Sequence, residues 1–391
     1  MTLPADIYQA ASGQGIYGGM AGAASLLSPT VLEELSGTPW AAQDGKPVVF
    51  ELHGSSGQPT ANGRQYLATV SGGLALMDDT TFQFSTVAAG TAGNYTLKLR
   101  PVDLYQMTGY TARESAHIGL RNVADGKMYL VSERRYDALL DWADANLTQY
   151  DHVRRVLTGG SMGGWGTISY GVRRFSKFAA LYADRPRFRY GDTSGFVSIA
   201  TPESGFVNVA VNQSPMLSDA DGGGSFAAYV DMNAYVSNPA NKVRPILWCC
   251  GRNDGFAKFD EQIAFVDAMR AAGRAFAFAW NDGGHAAGSI MSQIYASYPI
   301  GTFSREHGWP LFTEHSLDND PRVDLVGGIN IGLKFDQVIE STSSWSCRIT
   351  NINAACTVKV KPVSDVFTAN VASQLVTIPA AGEFVTVTFT A

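Results

Sequence analysis

One stretch decides the fold of this chain: Val156-Leu157-Thr158-Gly159-Gly160-Ser161-Met162-Gly163-Gly164-Trp165-Gly166. Its apolar start predicts a buried strand, and the glycines that follow predict a tight turn leading into a helix. Ser161 lies between Gly159 and Gly163, which is the G-x-S-x-G pattern of a nucleophile elbow. In such an elbow the serine backbone is strained, so that its hydroxyl stands clear of the sheet edge. The alternative is a glycine-rich loop with an incidental serine, and the flanking strand and helix favour the elbow.

The turn also places a backbone donor beside the serine. The N–H of Met162 would lie at the N-terminus of the following helix, where it can face a developing oxyanion. We therefore include Met162 among the candidate site residues.

Composition narrows the class of protein. The chain has 391 residues, with 16% charged residues, 41 glycines and a formal net charge of -6. No basic stripe is present to neutralise phosphates, so we expect no nucleic-acid partner. No apolar run reaches about 18 residues, so we expect no membrane span. The N-terminal residues show no basic region followed by a clean apolar core, so either the protein is intracellular or its signal is absent from this chain. The low charge content favours a secreted or periplasmic location over a cytoplasmic one.

The four cysteines predict no metal site. Cys249 and Cys250 are adjacent in an apolar strand, so their side chains should point to opposite faces as buried free thiols. Cys347 and Cys356 lie nine positions apart in a β-rich region, and whether they form a hairpin disulfide stays open. No spacing typical of a metal site exists, and the sequence suggests no cofactor.

Strands and helices alternate around the elbow. A buried strand over 46–52 runs into His53-Gly54-Ser55, and an amphipathic helix is predicted over Ser132–Tyr150. After the elbow we expect a helix from about Gly163 to Phe175 and a strand from Phe178. This alternation predicts a doubly wound, mostly parallel α/β sheet. The β-rich stretch within 46–104 either belongs to that sheet as an insertion or forms an immunoglobulin-like module of its own, and the need for strands beside the elbow strand favours the first.

Regular patterns fade over 185–243, which reads as a lid-like insertion. Arg187 lies near its start, where it could either form a salt bridge or hold an acidic substrate group, because guanidinium suits carboxylate. Trp165 is a second candidate for substrate binding, although aromatic residues are more often core residues.

From residue 245 onward, the sequence again predicts alternating strands and helices. A strand over 245–250 precedes Asn253 and Asp254, a helix is predicted over Phe259–Gly273, and a strand over 275–280 precedes His285. A helix from about Ala287 to Tyr295 would close a catalytic domain over 1–311. Residues 312–391 predict an antiparallel β-sandwich domain with Trp345 in its core, built on strands at Gly327–Leu333, Ser344–Thr350, Cys356–Val360, Gln374–Ile378 and Phe384–Phe389.

Three residues form the candidate catalytic set. A serine hydroxyl needs a base within hydrogen-bond reach, and the base needs a third group that holds its tautomer. Ser161, Asp254 and His285 each follow a predicted strand, and the carboxyl ends of parallel strands meet at one edge of a sheet. The alternatives are weaker: His307 for the base, and Asp260 or Asp282 for the acid, because the first acid falls inside a helix and the second is too close to His285 in sequence.

The matching pieces are Leu52-His53-Gly54, Gly159 to Gly164, Gly251 to Asp254 and Gly283-Gly284-His285. On these the chain resembles a serine esterase of the α/β-hydrolase superfamily, in the branch of prolyl-oligopeptidase-like, feruloyl-esterase-like and depolymerase-like enzymes. The resemblance spans about residues 46–300. It implies a Ser-Asp-His triad, an acyl-enzyme, and an oxyanion hole that joins Met162 to a donor near Gly54 or Ser55.

The expected activity is hydrolysis of a small-molecule or polymeric carboxylic ester, and the expected substrates include esters linked to a polysaccharide. A serine peptidase with the same triad is the first alternative, and a non-catalytic carbohydrate-binding or structural protein is the second. The sequence makes no prediction of oligomeric state.

Overall fold

The computed structural model of the chain describes residues 47–52, 80–86, 95–101, 120–121, 127–146, 150–189, 216–217 and 219–391. Its strands are β1 Pro47–Leu52, β2 Thr80–Thr86, β3 Tyr95–Pro101, β4 Leu120–Arg121, β5 Met128–Tyr129, β6 Asp151–Gly160, β7 Ala180–Asp184, β8 Ile246–Gly251, β9 Phe276–Asn281, β10 Trp309–Thr313, β11 Gly327–Ile329, β12 Leu333–Glu340, β13 Ser344–Asn351, β14 Cys356–Val363, β15 Gln374–Ile378 and β16 Phe384–Thr390. Its helices are α1 Val131–Asn146, α2 Met162–Gly171, α3 Phe226–Tyr229, α4 Met232–Ser237, α5 Phe259–Ala271 and α6 Met291–Ser297.

An eight-stranded sheet forms the centre of the molecule, in the order β11-β9-β8-β7-β6-β1-β3-β2. Six neighbouring strands, from β9 to β3, run parallel, and an antiparallel strand lies at each edge. The predicted mostly parallel α/β sheet is therefore confirmed. β1 and β3 pair inside this sheet, so the immunoglobulin-like alternative for residues 46–104 is wrong.

The two faces of the sheet support two apolar cores. On β6, Leu157 belongs to one buried cluster and Val156 to the other, as the alternation of side chains along a strand requires. On β8, Cys250 and Cys249 divide in the same way, and both are buried free thiols. This confirms the prediction for the adjacent pair.

The helices keep close to their predicted positions. α1 begins one residue before Ser132 and buries Tyr136 and Leu140, whereas α2 ends at Gly171 and is buried along its length. α6 begins at Met291 rather than near Ala287, because the residues after His285 form turns. Within 185–243, the described residues include α3, α4 and a short 3-10 turn over Asp219–Asp221.

The last 80 or so residues are rich in antiparallel strands, as the sequence predicted. β10-β14-β15 and β12-β13-β16 form two three-stranded sheets, and Trp345 of β13 is fully buried. Two pairings cross the predicted boundary at residue 311. β10 contains that residue and pairs with β14, while β11 lies beyond it and pairs with β9 of the central sheet.

Cys347 and Cys356 are both free, so the disulfide that the spacing left open does not form. Cys347 lies on β13 and Cys356 on β14, and these strands belong to different sheets. In the described part of the chain, no helix is both long and apolar enough to span a membrane.

Candidate active site

The elbow holds Ser161 in a conformation that most residues avoid. Ser161 lies between the end of β6 and the first residue of α2. Its φ is 57° and its ψ is -118°, a backbone conformation that residues other than glycine rarely adopt. Its N–H donates to the carbonyl oxygen of Asp184 at 2.8 Å, which ties the turn to the end of β7. The turn is tight on both sides. A Cβ on Gly159 would lie 2.8 Å from the Leu52 oxygen, and one on Gly164 would lie 2.5 Å from the Asp184 oxygen.

Asp254 lies in the loop after β8 with its side chain out of contact with solvent. One carboxylate oxygen, Oδ1, accepts from the backbone N–H groups of Phe256 and Ala257 at 2.8 and 2.9 Å. The other, Oδ2, lies 2.7 Å from Nδ1 of His285. Burial by itself would raise the pKa of Asp254, but the hydrogen bonds from His285 and from the two backbone groups outweigh it and hold that pKa below its ordinary value.

His285 joins the acid to the serine. Its Nε2 lies 2.7 Å from Oγ of Ser161, while its Nδ1 faces Asp254. An ionised carboxylate only accepts hydrogen bonds, so Nδ1 carries the proton and Nε2 is left to accept from the serine hydroxyl. The imidazole is one-quarter exposed, and the ring of Phe256 packs edge-on against it with 5.1 Å between centroids. The structure thus brings together the three residues that strand order selected.

The loop of Asp254, after β8, packs closely against the loop of His285, after β9, and glycines lie at the points of contact. The N–H of Asn253 donates to the Gly283 oxygen at 3.0 Å, and the N–H of Arg252 donates to the Asn281 oxygen at 2.8 Å. A Cβ on Gly251 would lie 2.8 Å from the carbonyl carbon of Gly283, and closer still to its oxygen. Only glycine fits at this approach. The sequence identified both Gly251 and the glycines before His285, but it could not show that they pack against each other.

An ion pair lies at the end of β7, and its acid, Asp184, was missed by sequence reasoning. Arg185 forms two hydrogen bonds to the carboxylate of Asp184, at 2.9 and 2.8 Å, and also donates through Nη1 to the carbonyl oxygen of His285. Ser289 adds a hydrogen bond to Asp184 at 2.8 Å. The signal that could have found the pair is position, because Asp184 ends a parallel strand at the same sheet edge as Asp254.

Arg187 and Trp165 do not line an open site. Arg187 is 3% exposed and forms a two-point ion pair with Glu261 of α5, in which Nε lies 3.3 Å from Oε2 and Nη2 donates to Oε1. Its guanidinium lies 5.9 Å from the centroid of the Trp165 ring, which is itself buried. Of the two expectations for Arg187, the structure agrees with the salt bridge. The expectation that Arg187 binds an acidic group of the substrate is wrong, because its guanidinium is buried against Glu261. Buried arginine requires a partner, and the sequence could not show that Glu261 supplies it.

Met162 is the first residue of α2, so its N–H is among the four that find no acceptor within the helix. The residues expected to supply the second oxyanion donor, Gly54 and Ser55, lie outside the described residues, as does His53. Of the alternatives, His307 lies beside Glu340 at 3.5 Å, and Asp260 lies in the first turn of α5.

The sheet is mostly parallel, with a serine in an elbow after β6, an acid after β8 and a histidine after β9. Together these features define the α/β-hydrolase fold. No protein-family model matches the chain, and no curated protein matches it.

Several solved structures overlap with part of it. An S-formylglutathione hydrolase from Agrobacterium tumefaciens is 12% identical, with 63% of this chain and 78% of that chain covered and a TM-score of 0.38. A ferulic acid esterase is 19% identical, with coverage of 65% and 82% and a TM-score of 0.38. An acylaminoacyl peptidase from Pyrococcus horikoshii is 13% identical with a TM-score of 0.37, and 62% of this chain is covered. The chain spans only 33% of the length of that peptidase.

Proposed function

We propose that the protein is a serine hydrolase that cleaves carboxylic esters through an acyl-enzyme. The observation that carries the proposal is the unbroken hydrogen-bond chain from the Ser161 hydroxyl through His285 to Asp254, with both links at 2.7 Å. A serine in a strained elbow with no such base beside it would be a poor nucleophile.

In the first half-reaction, Oγ of Ser161 attacks the ester carbonyl carbon while Nε2 of His285 takes the hydroxyl proton. Asp254 holds the ring and stabilises its cationic form. The negative charge that develops on the carbonyl oxygen would be met by the N–H of Met162, at the positive end of α2. When the intermediate collapses, the carbon–oxygen bond to the alcohol breaks, and the departing alkoxide receives the proton from His285.

The second half-reaction repeats these roles with water. His285 takes a proton from the water as its oxygen attacks the acyl carbon, and it returns a proton to Oγ as the Ser161 ester bond breaks. The products are a carboxylic acid and the free enzyme. No step requires a metal or an organic cofactor.

The site supports an ester with at least one bulky, apolar portion near the histidine. Phe256 is 42% exposed and its ring lies against the imidazole, so an acyl or alcohol group bound there would cover apolar surface. Polymeric and polysaccharide-linked esters remain part of the proposed substrate class.

The test combines one substitution with one covalent probe. Ser161→Ala is expected to abolish hydrolysis of a short p-nitrophenyl ester and to prevent labelling by a fluorophosphonate, while Ser169→Ala, a serine within α2, keeps both. Unchanged turnover in Ser161→Ala would refute the proposed nucleophile. Comparing an ester with the amide of the same acyl group separates an esterase from a serine peptidase.

A further inference from the structure

A cavity of about 120 Å³ lies at the end of the central sheet opposite Ser161. Lys242 and Arg244 line it just before β8, and Arg274 lines it just before β9, whereas Asp254 and His285 follow those same strands. Tail residues close the other side, so the cavity lies between the central sheet and the antiparallel strands that follow it. A single ordered water needs only ~10–15 Å³ of such space, so the cavity has room for a group of several heavy atoms.

Within the described residues, three guanidinium groups at this cavity hydrogen-bond only to backbone carbonyls. Arg244 donates to the oxygens of Phe175 and Arg305 at 2.9 and 3.2 Å. Arg274 donates to the oxygens of Val236 and Asn238 at 3.0 and 2.8 Å. Arg305 donates to the Ser176 oxygen at 2.6 Å.

None of the three makes an ion pair within the described ranges, in contrast to Arg155, Arg174, Arg185, Arg187 and Arg348. Arg244 is 4% exposed, and burial lowers its pKa to about 10, although the nearby charge of Asp365 opposes the shift. Burial also lowers the pKa of Arg274 and of Arg305 below the ordinary value. A buried cation lowers stability when no anion compensates its charge. A negatively charged group in the cavity would therefore stabilise these guanidinium groups.

The acidic residues at the cavity compensate these cations only in part, because Asp365, whose charge stabilises Arg244, is shared with a lysine. Asp365 pairs with Lys242 at 2.6 Å. Glu340 accepts from the Gly308 N–H at 3.2 Å and from the Ser364 hydroxyl at 2.6 Å. Glu306 also lines the cavity, where it is exposed to solvent.

Two further donors of the lining residues are buried without a hydrogen-bond partner in the described structure. These are Nε of Arg305 and Nε1 of Trp309. A buried donor that lacks an acceptor carries a desolvation penalty, which an acceptor-rich group in reach would relieve.

We propose that this cavity binds a small oxyanion, such as inorganic phosphate or a carboxylate, between the central sheet and the tail. The planar guanidinium group matches two oxygens of such an anion, and Arg244 is held in place by its contacts to backbone carbonyls before any ligand arrives. The site is distinct from Ser161, and the proposal does not depend on the proposed esterase activity.

The test measures binding of inorganic phosphate and of acetate to the full-length protein by isothermal titration, at constant ionic strength with chloride as the balancing anion. We expect saturable binding of at least one of the two oxyanions. Lys242→Glu places the opposite charge at the exposed rim, so it should weaken the affinity about tenfold without unfolding the protein. Arg244→Gln should remove binding.

The matched control is Arg270→Gln, an exposed arginine on α5 that does not line the cavity. It should bind like the wild type. Should Arg244→Gln fail to fold, the comparison of Lys242→Glu with the control decides alone. The proposal is overturned if neither oxyanion binds saturably, or if Lys242→Glu binds as tightly as Arg270→Gln.

Discussion

Gly251→Ala tests whether the hydrogen bonds among Ser161, His285 and Asp254 depend on the close packing of the loop after β8 against the loop after β9. Gly251 ends β8, and its would-be Cβ lies 2.8 Å from the carbonyl carbon of Gly283 and 3.1 Å from the oxygen of Gly284. All of the contacting atoms are backbone atoms, so no side chain can swing away. A methyl group therefore has to push the loop that carries His285 away from the loop that carries Asp254.

The size of the displacement sets the expected effect. Carbon and oxygen atoms in ordinary contact lie more than ~3.4 Å apart, so relief of the clash requires movement of roughly 1 Å. The hydrogen bonds on either side of the imidazole are both 2.7 Å, and a shift of that size breaks at least one of them. A misplacement of about 1 Å costs on the order of 100-fold in rate, and overpacking of this kind costs about 1–3 kcal/mol of stability.

The assay is kcat for a p-nitrophenyl ester, together with the rate of fluorophosphonate labelling and thermal unfolding. Gly255→Ala is the matched control, because it lies in the same loop and its Cβ would meet no atom within 4 Å. We expect a loss of about 100-fold in kcat and a Tm lower by roughly 2–6 °C in Gly251→Ala, with the Tm of the control within about 1–2 °C of wild type. A Gly251→Ala protein with wild-type kcat would show that the two loops do not depend on this close approach.

The remaining predictions concern the acid, the cores and pH. Asp254→Asn removes the acceptor that holds the histidine tautomer, so kcat should fall about 10⁴-fold while the circular dichroism spectrum is kept. Glu261→Gln removes the carboxylate charge that pairs with the buried Arg187 and should cost about 3–5 kcal/mol in urea unfolding, whereas an Arg187→Met, Glu261→Leu double variant should recover much of that loss. Trp345→Ala empties a fully buried site and should cost about 3–5 kcal/mol by the same measurement, with Trp345→Phe costing less. The pKa of Asp254 and of Asp144 is lowered in the fold despite burial, the latter by hydrogen bonds from His152 and Arg155, so their stabilisation is present above the unfolded pKa of about 3.9 and is lost as pH falls through the folded pKa. Asp144→Asn should flatten that acid limb of the unfolding free energy, and an unchanged limb would contradict the assignment.

The central sheet could be predicted because its signals are local. Five of the six parallel strands, all except β3, contain a short apolar run that is followed by small or polar residues, so their order can be predicted without knowledge of contacts. The residues brought to one edge by that order include Ser161, Asp254 and His285, and their spacing in the structure fits the selection. Their catalytic roles stay predictions until the substitutions are made.

Other features depend on contacts between distant residues. Whether Arg187 faces a substrate or the core is decided by Glu261, which lies 74 positions further along the chain. Asp184 looks unremarkable in sequence, and only the fold brings its partner Arg185 to the carbonyl of His285, 100 positions away. Cys347 and Cys356 are close in sequence but belong to separate sheets, and spacing alone could not decide whether they form a bridge.

The segment between β10 and β12 shows most clearly why a boundary at residue 311 was not a physical one. β11 covers the edge of the central sheet beside β9, and the residues just before it supply the carbonyl oxygens of Pro321 and Asp324 to Nη1 of Arg252, at 2.9 and 2.6 Å. Arg252 stands two positions before Asp254. The same Asp324 oxygen accepts from Nε1 of Trp280, at the end of β9. Residues past 311 thus contact both the edge of the central sheet and the loop of Asp254. Removal of the tail at that position would therefore expose the sheet edge and release this loop.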